Sequence, residues 1–293
     1  MDILSEIIAH KRTEVELQKQ SVSPEQLREQ VQKLMGSSSA PRHSMRQALA
    51  SSPTGIIAEF KRRSPSKGWI YETAKAEEIP AAYETAGASA LSILTDEKFF
   101  GGSLRDISTA RPLVDIPILR KDFIIDEYQL LQARIVGADA VLLIAACLTQ
   151  KECSTLTTQA HALGLEVLLE IHNPSELPYI NKEVDMLGVN NRNLGTFVTD
   201  VKNSFRIARQ LQQAIGSKKG ASDVRNMPIL VSESGISHPE TIRSACCRFP
   251  RLSHRRGFYE NRPPRRYTER FHLSHHFSKV NYQPQIVQEY DSS

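Results

Sequence analysis

The side chains that could do chemistry in this sequence follow short apolar runs. Glu59 and Lys61 stand two residues apart, so on an extended strand their side chains share one face. Lys121 and Glu170 close two later runs of the same kind. Carboxylates and lysines that converge in a partly dry cavity shift one another's pKa, and a lysine can then act as an acid and a glutamate as a base near neutral pH. These residue types predict general acid–base catalysis.

Two further runs end in polar groups. Asn190 and Arg192 follow the sixth run, and Glu233, Ser234 and Gly235 follow the seventh. A Ser-Gly pair after a strand can bind phosphate, because glycine lets backbone N–H groups approach an anion. A lone lysine at a strand end is more often a solvated charge, and a lone Ser-Gly pair is a common turn. The signal is their co-occurrence at successive strand ends.

Seven apolar runs alternate with segments of helical patterning. The runs are Ile56 to Lys61, Ala90 to Asp96, Ile116 to Lys121, Ala140 to Ala146, Glu166 to His172, Met186 to Arg192 and Pro228 to Gly235. This alternation predicts βα units around a parallel sheet. A doubly wound open sheet would carry a Gly-rich loop after its first strand, whereas EFKRRSPS stands there. The prediction is therefore a (β/α)₈ TIM barrel, with its site at the carboxyl ends of the strands.

Helical patterning also precedes the first run. Helices are predicted over residues 2–19, 24–35 and 44–50, so residues 1–50 form an N-terminal helical extension and residues 51–246 form barrel units one to seven. The extension is either a packing appendage or a cover over the site.

Composition excludes several classes of protein. The sequence has 40% apolar residues among 293 but no apolar stretch of about 18, so no membrane span is expected. The N-terminus lacks the pattern of a signal peptide. The four cysteines show no metal-ligand spacing, and Cys147 is expected to be a small buried hydrophobe. We expect a cytoplasmic protein without a bound metal.

Six segments carry a resemblance to a known family. They are Ala58 to Gly68 (AEFKRRSPSKG), Thr95 to Ser103 (TDEKFFGGS), Leu119 to Gln129 (LRKDFIIDEYQ), Leu168 to Asn173 (LLEIHN), Gly188 to Leu194 (GVNNRNL) and Val231 to Ser237 (VSESGIS). In this order the chain resembles the indole-3-glycerol-phosphate synthases of tryptophan biosynthesis, up to about Ala245. The resemblance implies a cofactor-free (β/α)₈ carboxy-lyase. Its phosphorylated substrate, 1-(2-carboxyphenylamino)-1-deoxyribulose 5-phosphate, becomes indole-3-glycerol phosphate with loss of CO₂ and water.

The resemblance also implies roles for single residues. Lys121 would be the general acid that protonates the ribulose carbonyl, and Glu170 the acid/base partner in loss of the hydroxyl. Glu59 and Asn190 would position these groups, and Lys61 would bind the anionic substrate and assist proton transfer. The substrate-binding positions would be Ser64 and Arg192 for the carboxylate, Phe100 and Phe123 for the anthranilate ring, Glu233 and Ser234 for the pocket wall and Gly235 for the phosphate.

The sequence after the seventh run lacks the expected eighth strand. Residues 246–276 read CCRFPRLSHRRGFYENRPPRRYTERFHLSHH, and adjacent prolines argue against a strand. Codons for residues 251–276 can be chosen so that the next frame reads GFLIGEGFMKTAHPGDTLKDFISLI, an apolar strand, a glycine loop and an amphipathic helix. Our hypothesis is a frameshift near residues 243–250. The eighth βα unit is then missing or garbled, and residues 247–293 are expected to form a basic, disordered tail.

Other interpretations remain open at this point. The chain could be another phosphosugar barrel, such as phosphoribosylanthranilate isomerase, or a catalytically impaired truncated barrel. The tail could be a natural disordered segment or a nucleic-acid arm, since from Cys246 onward it holds nine Lys and Arg against four Asp and Glu. The net charge of +4 does not itself indicate nucleic acid, so none is expected as a partner, and we expect a monomer.

Overall fold

The computed structural model places a parallel strand at each of the seven apolar runs. It describes residues 3–37, 43–52, 55–192, 200, 202–216, 228–234 and 285–289. The strands are β1 (Ile56–Phe60), β2 (Arg63–Ser64), β3 (Gly68–Trp69), β4 (Ala90–Leu94), β5 (Ile118–Lys121), β6 (Ala140–Ile144), β7 (Glu166–Ile171), β8 (Met186–Asn190), β9 (Ile229–Glu233) and β10 (Gln285–Glu289). The helices are α1 (Ile3–Ser21), α2 (Pro24–Ser37), α3 (Met45–Ser51), α4 (Ile79–Thr85), α5 (Glu97–Phe100), α6 (Leu104–Ala110), α7 (Glu127–Ile135), α8 (Gln150–Ala162) and α9 (Lys202–Gly216).

The sheet topology confirms the predicted barrel. Strands β2 and β3 pair only with each other, as a short antiparallel hairpin after β1. The other eight strands close a barrel in the order β1-β10-β9-β8-β7-β6-β5-β4, and their ladders are parallel. Helices between consecutive strands give the βα alternation that the sequence predicts. The helix predicted from His238 lies outside the described residues.

Strand β10 corrects one expectation. The sequence analysis found no eighth strand, but residues 285–289 pair with β1 on one side, where Ile56 meets Ile286, and with β9 on the other, where Glu233 meets Val287. The β-branched pair Ile286-Val287 suits a strand, so the expectation of disorder over residues 247–293 is wrong for this segment. A strand here pairs edge groups of β1 and β9 that would otherwise lack partners. The rest of the predicted tail lies outside the described residues.

The helix α4 begins at Ile79, with Pro80 in its first turn. Proline lacks the N–H that an interior helical position donates, so it favours the first turn.

The barrel interior is apolar at the amino-terminal ends of the strands. Side chains of alternate strands, such as Ile57, Leu119 and Leu168, pack there on Met45 and Leu49 of α3, and all five are at most 1% exposed. The helix α3 therefore closes the bottom of the barrel. Burial of this apolar surface favours folding and leaves the opposite, carboxyl-terminal mouth for polar groups.

The N-terminal extension packs along the outside of the barrel. Val15 of α1 and Val31 of α2 contact Leu131 of α7, and the hydroxyl of Tyr128 donates to the carbonyl oxygens of Gln18 and Val22. This arrangement confirms helices before the first strand. Across the described part of the chain, each helix is too short or too polar to cross a bilayer.

Candidate active site

A cavity of about 120 Å³ opens at the carboxyl ends of the barrel strands. Ten of the twelve predicted site residues line it: Glu59, Lys61, Ser64, Phe100, Lys121, Phe123, Glu170, Asn190, Arg192 and Ser234. Glu233 does not line the cavity but contacts Lys121 from below. Gly235 lies outside the described residues. The fold thus brings side chains from six strands, or from the turns that follow them, to one mouth.

Two lysines share one carboxylate at the centre of the cavity. Nζ of Lys121 lies 2.6 Å from Oε2 of Glu59, and Nζ of Lys61 lies 2.7 Å from Oε1. Burial alone would raise the pKa of Glu59, but the charges of Lys121 and Lys61 outweigh it and lower that pKa to about 2. Glu59 is therefore an anion at neutral pH that orients both cations.

Lys121 stands among three carboxylates. Burial would lower its pKa, but Glu59, Glu233 and Glu170 raise the pKa of Lys121 above its usual value. Nζ of Lys121 is 3.8 Å from Oε2 of Glu233. Lys121 consequently enters any reaction as an ammonium group, which can give a proton to an oxygen that gains negative charge.

Glu233 differs from the other two carboxylates. It is 1% exposed, and burial together with the charge of Glu170 raises its pKa well above the ordinary value, against the effect of Lys121. Ionisation of both of two close carboxylates costs free energy, because their negative charges repel each other. Glu233 therefore gives up its proton at a higher pH than Glu170 does.

His172 fixes the state of Glu170. Nε2 of His172 lies 3.1 Å from Oε1 of Glu170, and Nδ2 of Asn190 donates to the same oxygen at 3.1 Å. Burial would raise the pKa of Glu170, but the contact with His172 lowers it to about 2. The same carboxylate raises the pKa of His172 against the effect of burial. Glu170 is thus an anion poised to accept a proton.

Sequence reasoning missed His172, although a signal was present. His172 follows Glu170 by two residues at the end of β7, so both side chains point to one side of the sheet. It also missed Ile3, Leu4 and Ile7 of α1, which line the cavity. Their contribution supports the second of the two interpretations of the extension, a cover over the site.

A glycine gives Glu233 its place. A Cβ on Gly188 of β8 would stand 2.0 Å from Oε1 of Glu233, closer than non-bonded atoms approach. Gly188 and Val231 are partners in the ladder of β8 and β9. Residue 188 must therefore lack a side chain for the carboxyl group of Glu233 to take its place beside Lys121.

The remaining wall is aromatic and apolar. The rings of Phe100 and Phe123 lie 6.0 Å apart at 38°, and Leu94, Leu142 and Ile144 continue the surface. A flat aromatic group would pack well against such a wall.

Polar groups rim the cavity. Oγ of Ser64 accepts from the backbone N–H of Lys67 at 3.2 Å, and the backbone N–H of Arg192 donates to Oδ1 of Asn190 at 2.9 Å. Ser234 has a φ of 67°, in the left-handed region. Such strain in a non-glycine residue is concentrated at functional sites. In the described ranges no three His, Cys, Asp or Glu side chains gather as metal ligands do.

Comparison with known proteins gives a consistent answer. A family model described as indole-3-glycerol phosphate synthase matches residues 4–247. A Bacteroides thetaiotaomicron protein named indole-3-glycerol phosphate synthase is 66% identical over 242 residues, covering 83% of this chain and 86% of its own length. A Prochlorococcus marinus protein of the same name is 41% identical over 246 residues, covering 83% and 79%.

A solved structure supports the fold alone. The N-acetylmannosamine-6-phosphate 2-epimerase of Clostridium perfringens aligns with a TM-score of 0.50 at 14% identity, over 71% of this chain and 87% of the other. The family match and the relatives decide the rest: this chain belongs to the indole-3-glycerol phosphate synthase family, the carboxy-lyases of tryptophan biosynthesis.

Proposed function

We propose that this cavity converts 1-(2-carboxyphenylamino)-1-deoxyribulose 5-phosphate into indole-3-glycerol phosphate, with release of CO₂ and water. One observation carries the residue assignment. An ammonium group, Lys121, is held by Glu59 beside a second carboxylate, Glu170, that is kept ionised. An acid and a base are thus available at one mouth at neutral pH.

Lys121 acts as the acid in ring closure. The aromatic carbon that bears the carboxylate attacks the ribulose carbonyl carbon, and the carbonyl oxygen takes a proton from Nζ of Lys121. The bond to the carboxylate then breaks, CO₂ leaves, and its electron pair restores the aromatic ring. A fixed cation beside an oxygen that gains charge stabilises this transition state. Lys121 recovers its proton from solvent.

Glu170 acts as the base in loss of the hydroxyl. Its carboxylate takes a proton from the former C1 of the ribulose chain, and a carbon–carbon double bond forms as the hydroxyl departs. Lys61 supplies the proton that turns the hydroxyl into water, and it regains that proton from Glu170. The low pKa of Glu170 keeps the carboxylate ionised, so it is free to accept a proton, and Asn190 and His172 hold it in place.

The two anionic groups of the substrate would each contact residues at the rim of the cavity. Its ring carboxylate would meet Arg192 and Ser64, while its phosphate would meet the backbone at Ser234 and Gly235. Phe100 and Phe123 would contact the anthranilate ring. Lys61 and Lys121 add positive charge to the mouth, which favours a ligand that carries both a carboxylate and a phosphate.

The altered C-terminal sequence affects the expected activity of this chain. The family match ends at residue 247, inside the stretch of residues 243–250 where the sequence predicts a frameshift. Strand β10 lies beyond the end of that match. The loops after the seventh and eighth strands of such barrels bind phosphate. We infer that the reading frame which encodes the glycine loop restores full phosphate binding. A monomeric, cytoplasmic state and the absence of a nucleic-acid partner remain predictions.

Side-by-side expression tests this function. The chain as it stands and a version with the other frame restored after residue 247 are compared for soluble yield, melting temperature and formation of indole-3-glycerol phosphate. The restored chain should turn over the substrate and melt at higher temperature. Equal turnover by both would show that the frameshift hypothesis is wrong. Absence of turnover in a folded, restored chain would contradict the proposed function.

A further inference from the structure

A buried lysine outside the reaction joins the extension to the barrel. Lys11 of α1 has a side chain only 1% exposed. Its Nζ lies 2.9 Å from Oδ2 of Asp96 and 3.0 Å from Oδ1 of Asp122. These carboxylates are also 1% exposed. A buried ammonium group is costly unless it is paired, so the position of Lys11 demands an explanation.

Both partners of Lys11 hold the aromatic wall of the cavity. Asp96 caps the four-residue helix α5, accepting from the backbone N–H of Phe99 at 2.8 Å, and Phe100 ends that helix. Asp122 accepts from the backbone N–H of Phe123 at 2.8 Å. Lys11 therefore bridges the two carboxylates that set the backbone at the two rings.

The rest of the cluster leaves Lys11 without a substitute. Asp122 also accepts from Thr95 at 2.6 Å and Arg120 at 2.9 Å. The other nitrogen of the Arg120 guanidinium donates to the carbonyl oxygen of Gln129, at 2.6 Å. Loss of Lys11 would leave two close, buried carboxylates facing each other, and their repulsion would displace the segments that carry the rings.

We propose that Lys11 is a positioning residue that sets the Phe100–Phe123 wall for the anthranilate ring of the substrate. This inference rests on the proposed function for the identity of that ring. In this arrangement α1 does more than cover the mouth: Ile3, Leu4 and Ile7 line the cavity directly, and Lys11, one turn further along, controls the shape of the opposite wall.

A matched control exists on the same helix. Lys19 of α1 also reaches the barrel, where its Nζ lies 2.7 Å from Oδ2 of Asp126. Asp126 caps α7 and not an aromatic residue of the cavity. If α1 were only an attached appendage, Lys11 and Lys19 would act alike.

Binding of N-methylanthranilate to the full 293-residue chain tests the proposal. This fluorescent probe resembles the aromatic half of the substrate and reports binding without turnover. Lys11→Met should weaken probe affinity about three- to tenfold, the worth of one well-packed aromatic contact. Lys11→Arg keeps the charge and should stay closer to the parent. Lys19→Met should change probe affinity less than about twofold, even where it lowers the melting temperature.

The outcomes separate the two proposals. Parent-like probe affinity in a folded Lys11→Met variant, or equal losses in the Lys11 and Lys19 variants, would overturn the positioning role. Failure of the parent chain to bind the probe would count against the proposed aromatic subsite instead. If Lys11→Met does not fold, Asp96→Asn replaces it, because asparagine can still cap α5 but lacks the charge that faces Lys11. Unchanged probe affinity in folded Asp96→Asn would also overturn the role.

Discussion

Lys121 of β5 and Glu59 of β1 are joined over the intervening strand β4 by a contact of 2.6 Å between Nζ and Oε2. The two residues are 62 positions apart in the chain. Glu59 contacts Lys61 through its other oxygen. One carboxylate thus holds two cations in a fixed relation, so little reorganisation is needed when charge develops on a bound substrate.

Lys121→Met is expected to stop ring closure in the frame-restored chain. A positioned acid contributes about 10²–10⁴ in rate, so kcat should fall by that range. Glu59 keeps its contact with Lys61, so the variant should still fold, at a lower melting temperature because a cation among three carboxylates is lost. Steady-state turnover and thermal melting are the measurements. Lys98→Met removes a half-exposed lysine and serves as the control. Turnover within about tenfold of the parent would exclude Lys121 as the acid.

Glu170→Gln is expected to lower kcat far more than it raises KM. A base acts mainly in the transition state, whereas substrate binding needs little from an anion that faces an anionic substrate. The comparison is with Glu176→Gln, which alters the carboxylate on the other side of His172 and should affect kcat less. A rise in KM that accounts for the whole loss of kcat/KM would make Glu170 a binding residue.

Glu233→Gln is expected to flatten the dependence of melting temperature on pH. The folded-state pKa of Glu233 lies well above the ordinary value of 4.5, so the folded state binds the proton more tightly than the unfolded state. Stability from this group is complete below pH 4.5 and is lost as the pH rises through the folded-state pKa. Glutamine does not titrate, so the variant should lose less stability than the parent on going from about pH 5 to about pH 8.

The two ionised carboxylates of the cavity, Glu59 and Glu170, do not interfere with this test. Glu59 and Glu170 have folded-state pKa values of about 2, so their stability is present above their unfolded value and is lost only in more acidic solution. Replacement of exposed Glu77 by glutamine controls for the change in net charge. A parent-like slope for Glu233→Gln would show that Glu233 is ionised in the folded state.

Gly188→Ala is expected to destabilise the fold and reduce turnover. The new methyl group would stand 2.0 Å from Oε1 of Glu233, and overpacking of this kind costs about 1–3 kcal/mol. Gly36→Ala offers a matched control, because nothing lies within 4 Å of a Cβ there and alanine in a helix stabilises by about 0.5–1 kcal/mol. Denaturant unfolding measures both. Stability of Gly188→Ala equal to the parent would mean that Glu233 has room to move.

The amino-acid sequence alone determined the strand order and the polar groups at the mouth. Each of the seven runs became a strand, because apolar segments bounded by helical patterning can be buried only in a parallel sheet with helices outside. The residues Glu59, Lys121 and Glu170 could be named because closure of such a barrel brings strand ends together wherever they lie in the chain. That inference needs only the order of elements.

Tertiary structure alone decided which of these groups touch and what charge each carries. The pairing of Lys121 with Glu59, the raised pKa of Glu233 and the contact of His172 with Glu170 depend on distances of a few ångströms between side chains, which residue spacing does not encode. The same holds for Lys11, whose two partners in the barrel, Asp96 and Asp122, lie 85 and 111 residues further along the chain. The position of strand β10 between β1 and β9 likewise follows from the tertiary structure. Backbone pairing at a sheet edge depends little on side-chain identity, so the sequence of this segment did not predict it.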